Sequence, residues 1–275
     1  MSARSMGVEG FGARIEAITA ARGRLCVGID PHEKLVRGWG LDYDPDGVER
    51  FCRTTVEALG TQVAVFKPQS AFFEVFGTRG LTVLTRVLHD VREAGALSIL
   101  DAKRGDIGST MTAYARAYLS DDAELAADAL TVSPYLGFEA LRPALDLAHD
   151  TGRGLFVLCR TSNPDGEGVQ FAESQGRTVA QQMVDAANAE NSAHGLGDTG
   201  LVIGATHDSA GADLTGFQGW VLAPGIGAQG GTIDGLAGIF GDAVAHVLPS
   251  ASRGVLSAGP NPSGLQRAAA SLVLH

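Results

Sequence analysis

The run Ile99-Leu100-Asp101-Ala102-Lys103-Arg104-Gly105-Asp106-Ile107 sets two carboxylates and two cations within six positions, directly after an apolar stretch. Ser98 to Leu100 reads as the end of a buried strand, and Ser109-Thr110-Met111-Thr112-Ala113-Tyr114 reads as the start of a helix. Side chains alternate faces along a strand, so Asp101 and Lys103 are expected on one side, about 7 Å apart along the chain. Charges leaving a core must be paired or functional, because an uncompensated charge there is costly. An isolated D-x-K is most simply an exposed salt bridge. Here the rest of the chain supplies the other parts of an active site.

Phe66-Lys67-Pro68 ends an apolar run on a lysine, which suits Schiff-base chemistry, proton transfer or pairing with a carboxylate. Val27-Gly28-Ile29-Asp30-Pro31 ends another on an acid. Each alone is more often a cap or an ion pair. With Asp101, Lys103 and Asp106 they make a set of three acids and two amines, suited to moving a proton and stabilising charge. Pro224-Gly225-Ile226-Gly227-Ala228-Gln229-Gly230-Gly231 contains a formal G-x-G-x-x-G. It lies near the C-terminus, and no complete βαβ unit with a ribose-binding acid follows, so a dinucleotide site is disfavoured. A loop whose backbone N–H groups cradle a phosphate fits better, and Ser252-Arg253-Gly254 adds a guanidinium suited to bidentate phosphate contact. Neither His32-Glu33 nor His207-Asp208 extends to H-E-x-x-H, and G-x-S-x-G and P-loop patterns are absent.

The elements that must position these groups follow from periodicity. Apolar or β-branched runs recur at 24–30, 63–68, 97–103, 129–134, 154–161, 201–206, 220–226 and 246–248 or slightly beyond, eight in all. Amphipathic stretches lie between them, at 47–59, 78–93, 138–149 and 178–190, the last with Val179, Met183, Ala186 and Ala187 on one stripe. A final short helix is expected at 264–273. Eight βα repeats predict a (β/α)8 barrel of the TIM type, a single α/β domain over residues 1–275. Asp30, Lys67, Asp101, Lys103, Ser133, Thr161, Ser162, Thr206, Gln229 and Arg253 then fall at or just past C-terminal strand ends, the face on which such barrels build active sites.

Composition narrows the function. With 21 Lys+Arg against 31 Asp+Glu the formal charge is −10, which disfavours nucleic acid or an anionic membrane as the main partner. It leaves room for a small anion held by a few converging cations and amides. Cys26, Cys52 and Cys159 are widely spaced and sit in apolar or helical surroundings, as expected of reduced core thiols. No C-x-x-C metal pattern and no run of about 18 apolar residues occurs. A cytoplasmic location without secretion signal or membrane anchor is the expectation.

Taken together, Val27-Gly28-Ile29-Asp30-Pro31, Phe66-Lys67-Pro68-Gln69, Leu100-Asp101-Ala102-Lys103-Arg104-Gly105-Asp106-Ile107-Gly108-Ser109-Thr110, Arg160-Thr161-Ser162-Asn163, the Pro224–Gly231 loop and Ser252-Arg253 resemble the orotidine 5′-phosphate decarboxylase family, closest to its mycobacterial-type branch. The likeness covers nearly the whole chain. It implies decarboxylation of orotidine 5′-monophosphate to UMP, with no metal and no organic cofactor. Lys103 would donate the proton to C6 of the pyrimidine, and Asp101 would face the substrate carboxylate. Lys67 and Asp30 would hold the ribose hydroxyls and the charged array. Asp106 and Thr110 would reach into a neighbouring subunit's site, making the enzyme a homodimer with shared active sites.

The same resemblance implies that Ser162, or Thr161 if the alignment slips by one, contacts the pyrimidine edge. Gln229, the Gly230 amide and Arg253 would take the phosphate. The last strand departs from the pattern, because Pro249 lies inside it and loosens the register of Arg253. Two other readings compete. One is a Mg²⁺-dependent 3-keto-hexulose-6-phosphate decarboxylase or hexulose-phosphate synthase of the same superfamily. The other is a non-catalytic barrel that binds a phosphometabolite. Lys67 at the end of the second strand argues against a metal there, and binding alone does not need Lys103 between two acids.

Overall fold

The computed structural model describes residues 9–194 and 197–274. Eight parallel strands close into a barrel: β1 (Cys26–Ile29), β2 (Val65–Pro68), β3 (Leu97–Arg104), β4 (Ala129–Val132), β5 (Gly154–Arg160), β6 (Thr199–Ile203), β7 (Val221–Pro224) and β8 (Val247–Ala251). They pair in sequence order, and β8 returns to β1 through Cys26 opposite Ser250 and Val27 opposite Ala251. The expected (β/α)8 barrel of the TIM type is the fold observed. β8 carries Pro249 opposite Ala223 of β7. Its pairing with β1 begins one residue later, so the missing N–H falls outside that ladder.

Period-2 alternation sorts the strand residues into two cores. Cys26, Val65, Ile99, Ala129, Phe156, Leu222 and Leu248 fill the barrel interior, with Phe11 and Ile15 of the helix α1 (Phe11–Arg22) and Trp220 packed in the same cluster. Their neighbours Val27, Phe66, Leu100, Leu130, Val157, Val221 and Val247 join the layer between the barrel and the helices. The helices of that layer are α2 (Pro45–Leu59), α3 (Gly77–Glu93), α4 (Gly108–Leu119), α5 (Arg142–Thr151), α6 (Val179–His194), α7 (Leu236–Phe240) and α8 (Pro262–Ala270). Local chemistry sets their ends. Asp44 accepts from the Gly47 amide at 2.8 Å ahead of Pro45, Asn261 does the same for Ser263 at 3.0 Å ahead of Pro262, and α5 stops at Gly152 with φ 66°.

One repeat departs from the expected alternation. Residues 204–220, between β6 and β7, form turns and bends without a helix. Gly211 and Gly216 there hold φ of 73° and 72°, a backbone that breaks helical continuity. A short antiparallel hairpin (Glu173–Ser174 with Arg177–Thr178) also interrupts the run from β5 to α6. The three cysteines are free and buried, and burial pushes the Cys26 and Cys159 thiols up to about 12. Among the described residues, no helix is long and apolar enough to cross a membrane.

Candidate active site

The alternation that fills the barrel with apolar side chains continues upward into charge. Two residues past Val65 stands Lys67, two past Ile99 stands Asp101, and two past Ala129 stands Thr131. These three are 6%, 7% and 1% exposed, which makes them the top layer of the barrel interior. Gly28 is the matching position of β1. A Cβ there would lie 2.9 Å from the Ser252 Cβ and 3.4 Å from both Asp30 carboxylate oxygens, so only glycine leaves that corner open.

Asp101 is the hub. Lys103 Nζ stands 2.5 Å from Oδ1 and Lys67 Nζ 2.9 Å from Oδ2. Gln69 donates to Oδ2 at 3.0 Å and Thr131 to Oδ1 at 3.0 Å. Lys67 Nζ is also 3.9 Å from Asp30 Oδ1, an oxygen that is buried and accepts no hydrogen bond. Burial opposes the charge of both central groups, but the pairing outweighs it. Lys67 and Lys103 hold the Asp101 carboxyl well below the usual carboxylate range. Asp101 and Asp30 in turn hold the Lys67 ammonium above its ordinary value.

Asp101 and Lys103 meet as expected, but not through regular alternation. Leu100 pairs with Leu130 and Arg104 with Val132, so β3 spends four residues where β4 spends two. Lys103 takes φ 48° inside this bulge, which turns its ammonium back to Asp101. Arg104, the other cation of the motif, leaves the site. It binds Glu74 at 2.5 Å and the Tyr118 hydroxyl at 3.2 Å, which ties the β2 and β3 loops to α4. Gly105 follows where a Cβ would lie 2.3 Å from the Ser133 carbonyl oxygen. A cleft of about 400 Å3 opens beside Gln69, Asp101 and Lys103. A larger cavity, about 810 Å3, lies between the hairpin and the 209–217 and 239–246 loops and includes none of the charged cluster.

The remaining expected residues occupy the same rim. Thr161 is committed locally: its hydroxyl donates to Asn163 Oδ1 at 2.7 Å and accepts from Gln170 Nε2 at 2.7 Å. The half-buried Ser162 has no side-chain hydrogen bond among the described residues, and Gly204 of the β6 end packs against it, where a Cβ would lie 2.8 Å from its Cα. Gln229 and Arg253 are exposed, and neither side chain has a hydrogen bond or ion pair among the described residues. The Gly230 amide donates to the Gly227 carbonyl at 2.9 Å, so in this conformation it is engaged within its own loop. Asp106 accepts from the Ile107 amide at 2.8 Å and makes no ion pair with Lys67 or Lys103 of its own chain, while Thr110 is exposed on the first turn of α4.

Two residues of the cluster were not singled out from the sequence, Gln69 and Thr131. Their signal is a polar side chain at the inward position of an otherwise apolar strand, or just past its end. Among the described residues, no group of three or more His, Cys, Asp or Glu side chains is placed to hold a metal ion.

Comparison with known proteins identifies the family and agrees with the fold. The family model described as "Orotidine 5′-phosphate decarboxylase / HUMPS family" matches residues 23–268. The orotidine 5′-phosphate decarboxylase of Salinispora arenicola is 55% identical over 269 residues, covering 97% of this chain and 96% of that protein. Its counterpart in Streptomyces coelicolor is 53% identical over 264 residues, covering 95% of each. A crystal structure from Streptomyces avermitilis assigned as orotidine 5′-phosphate decarboxylase superposes with a TM-score of 0.93 at 54% identity, over 99% of this chain and 96% of that one. The chain belongs to the orotidine 5′-phosphate decarboxylase / HUMPS family.

Proposed function

We propose that this chain is the carboxy-lyase that converts orotidine 5′-monophosphate into UMP and CO2, a step of pyrimidine biosynthesis, using only its own side chains. The observation that carries the reading is the Lys67–Asp101–Lys103 cluster at the mouth of the barrel, in a chain more than half identical to decarboxylases of this name.

The chemistry explains why such a cluster is needed. When the bond from C6 to the carboxylate breaks, its electron pair stays on C6 in an orbital with no conjugated sink, so the barrier must be lowered electrostatically. The Lys103 ammonium stabilises that developing anion and then transfers a proton to C6, after which its amine is reprotonated from solvent. Asp101 holds the ammonium in place. Repulsion between Asp101 and the substrate carboxylate is the weaker contribution. Two unit charges at about 4 Å interact by roughly 4 kcal/mol at an effective dielectric of about 20. Here two lysines within 2.9 Å already offset the Asp101 charge.

The remaining roles follow the rim. Lys67 and Asp30 hold the ribose hydroxyls, an assignment supported by the buried Asp30 oxygen that accepts no hydrogen bond. Ser162 contacts the pyrimidine edge, because its hydroxyl is uncommitted while that of Thr161 is used locally. Gln229 and Arg253 clamp the phosphate. The Gly230 amide joins them on a shift of its loop that releases Gly227. Remote binding energy from the phosphate serves to close loops over the reacting centre.

The working unit is a homodimer in which Asp106 and Thr110 complete the partner's site. Asp106 pairs with neither lysine of its own chain and Thr110 is exposed, which supports this, as do four large apolar side chains exposed on the neighbouring loops after β2, β3 and β4: Val75, Ile107, Tyr135 and Leu136. Each chain is one barrel domain over the described residues 9–194 and 197–274, and the rest of the expected span 1–275 lies outside the described residues. The location is the cytoplasm, in keeping with three free thiols. The Mg²⁺-dependent relatives of the superfamily need acidic ligands at the ends of β1 and β2, where this chain presents Lys67 already engaged by both acids. Loss of orotidine 5′-monophosphate absorbance with purified protein, unaffected by EDTA, is the expected result. Strict dependence on Mg²⁺ overturns the reading.

A further inference from the structure

Thr131 has a geometry that the roles above do not use. It is 1% exposed at the inward position of β4, and its Oγ1 makes two bonds of opposite sense. The Asp101 carboxylate carries no proton, so at the 3.0 Å contact to Oδ1 the hydroxyl must donate. Its one proton is then spent, and at the 3.0 Å contact to the Lys103 backbone N–H it can only accept. The two bonds therefore fix each other's direction. Both end on the residues that the proposed reaction relies on.

The Lys103 backbone needs such a hold. Its φ of 48° lies in the left-handed region, which is unfavourable for a non-glycine residue because its Cβ crowds the neighbouring carbonyl. The bulge removes its amide from the regular ladder, because pairing skips from Leu100–Leu130 to Arg104–Val132. Thr131 Oγ1 replaces the lost acceptor. Past it, the ladder resumes where the Ser133 amide donates to the Arg104 carbonyl at 2.7 Å. Without the hydroxyl, the Lys103 amide would lose its acceptor, Asp101 one of its four donors, and the bulge could relax away from the turn that aims Nζ.

We propose that Thr131 is a positioning residue for the decarboxylation: its hydroxyl locks the left-handed backbone of Lys103 and so aims the ammonium alongside Asp101. The inference rests on the function proposed above. Thr131→Val keeps the shape and removes both bonds, whereas Thr131→Ser keeps the oxygen and removes only the methyl. Thr131→Val is expected to lower kcat about 30-fold, with KM and UMP affinity within about threefold of the parent. Thr131→Ser is expected to stay within about threefold in all three. Protection of the Lys103 amide against hydrogen exchange should be lost in the valine variant and kept in the serine variant.

An undiminished kcat in Thr131→Val overturns the proposal. So does an equal loss in Thr131→Ser, which would assign the effect to packing of the methyl. If the parent protein does not consume orotidine 5′-monophosphate, the proposed function falls and the exchange measurement decides the positioning claim alone. Protection lost with valine and kept with serine then sustains the claim, and unchanged protection in both sinks it.

Discussion

Lys103 reaches back over two residues to set its Nζ 2.5 Å from Asp101 Oδ1, from a backbone that is left-handed. The other oxygen of the same carboxylate is 2.9 Å from Lys67. One buried acid thus organises two cations with unequal surroundings. Lys67 is sealed at 8% side-chain exposure, and Lys103 stands at 46%, open to whatever enters the cleft. That inequality separates a cation that holds the site together from one free to act on a substrate.

Replacing Lys103 with alanine should therefore remove chemistry and spare binding. Turnover of orotidine 5′-monophosphate is expected to fall about 10⁴-fold or more, the upper range for a general acid, because the same group also stabilises the anion. UMP affinity by calorimetry should stay within a few-fold. Near-normal turnover would refute the role given to Lys103.

The proposed sharing of sites makes an arithmetic prediction. An Asp101→Asn chain and an Asp106→Asn chain are each expected to be nearly inactive alone. In a mixed dimer one site carries both substitutions and the other carries neither. Random subunit exchange should then restore about one quarter of the parental activity, as twofold symmetry requires. Exchange shown by mass spectrometry with no return of activity removes Asp106 from the partner's site.

Ser162 and Thr161 can be told apart by their kinetics. Ser162→Ala is expected to raise KM about tenfold, the effect of one lost hydrogen bond of about 1.4 kcal/mol. Thr161→Val should leave KM within about threefold. It should cost about 1 kcal/mol of stability, because the Gln170 and Asn163 side chains lose their shared partner. The opposite pattern moves the pyrimidine contact by one residue.

Acid stability should report on the hub. The folded-state pKa of Asp101 is lowered, so its contribution is fully present above the unfolded carboxylate value of about 3.9 and is lost as pH falls through the lower folded value. For Lys67 the folded value is raised, so its contribution is fully present below the unfolded value of about 10.4 and is lost as pH rises through the higher folded one. Asp101→Asn leaves Lys67 buried with only Asp30 beside it and should cost about 3 kcal/mol at neutral pH. In thermal melts the gap between parent and variant is expected to narrow below about pH 4. A gap that stays constant to pH 2 speaks against an ionised, buried Asp101.

Which groups are present, and on which end of the barrel they stand, is written in the order of the residues. Period-2 runs and amphipathic helices are local signals, and counting along them from Val65 or Ile99 brings Lys67 and Asp101 to the inward face above an apolar layer. How those groups are held depends on contacts between strands. The β3 bulge depends on register against β4, and register is a relation between strands that no single run encodes. The bulge turned Lys103 toward Asp101 and sent Arg104 away to Glu74 and Tyr118, while the pairing of β3 with its two neighbours set Thr131 and Gln69 beside Asp101 as donors. The missing helix between β6 and β7 and the engaged Gly230 amide were equally out of reach of periodicity, because loops are set by what they pack against. The residue types named the chemistry, and the packing between neighbouring strands chose which of the two lysines is buried and which faces the cleft.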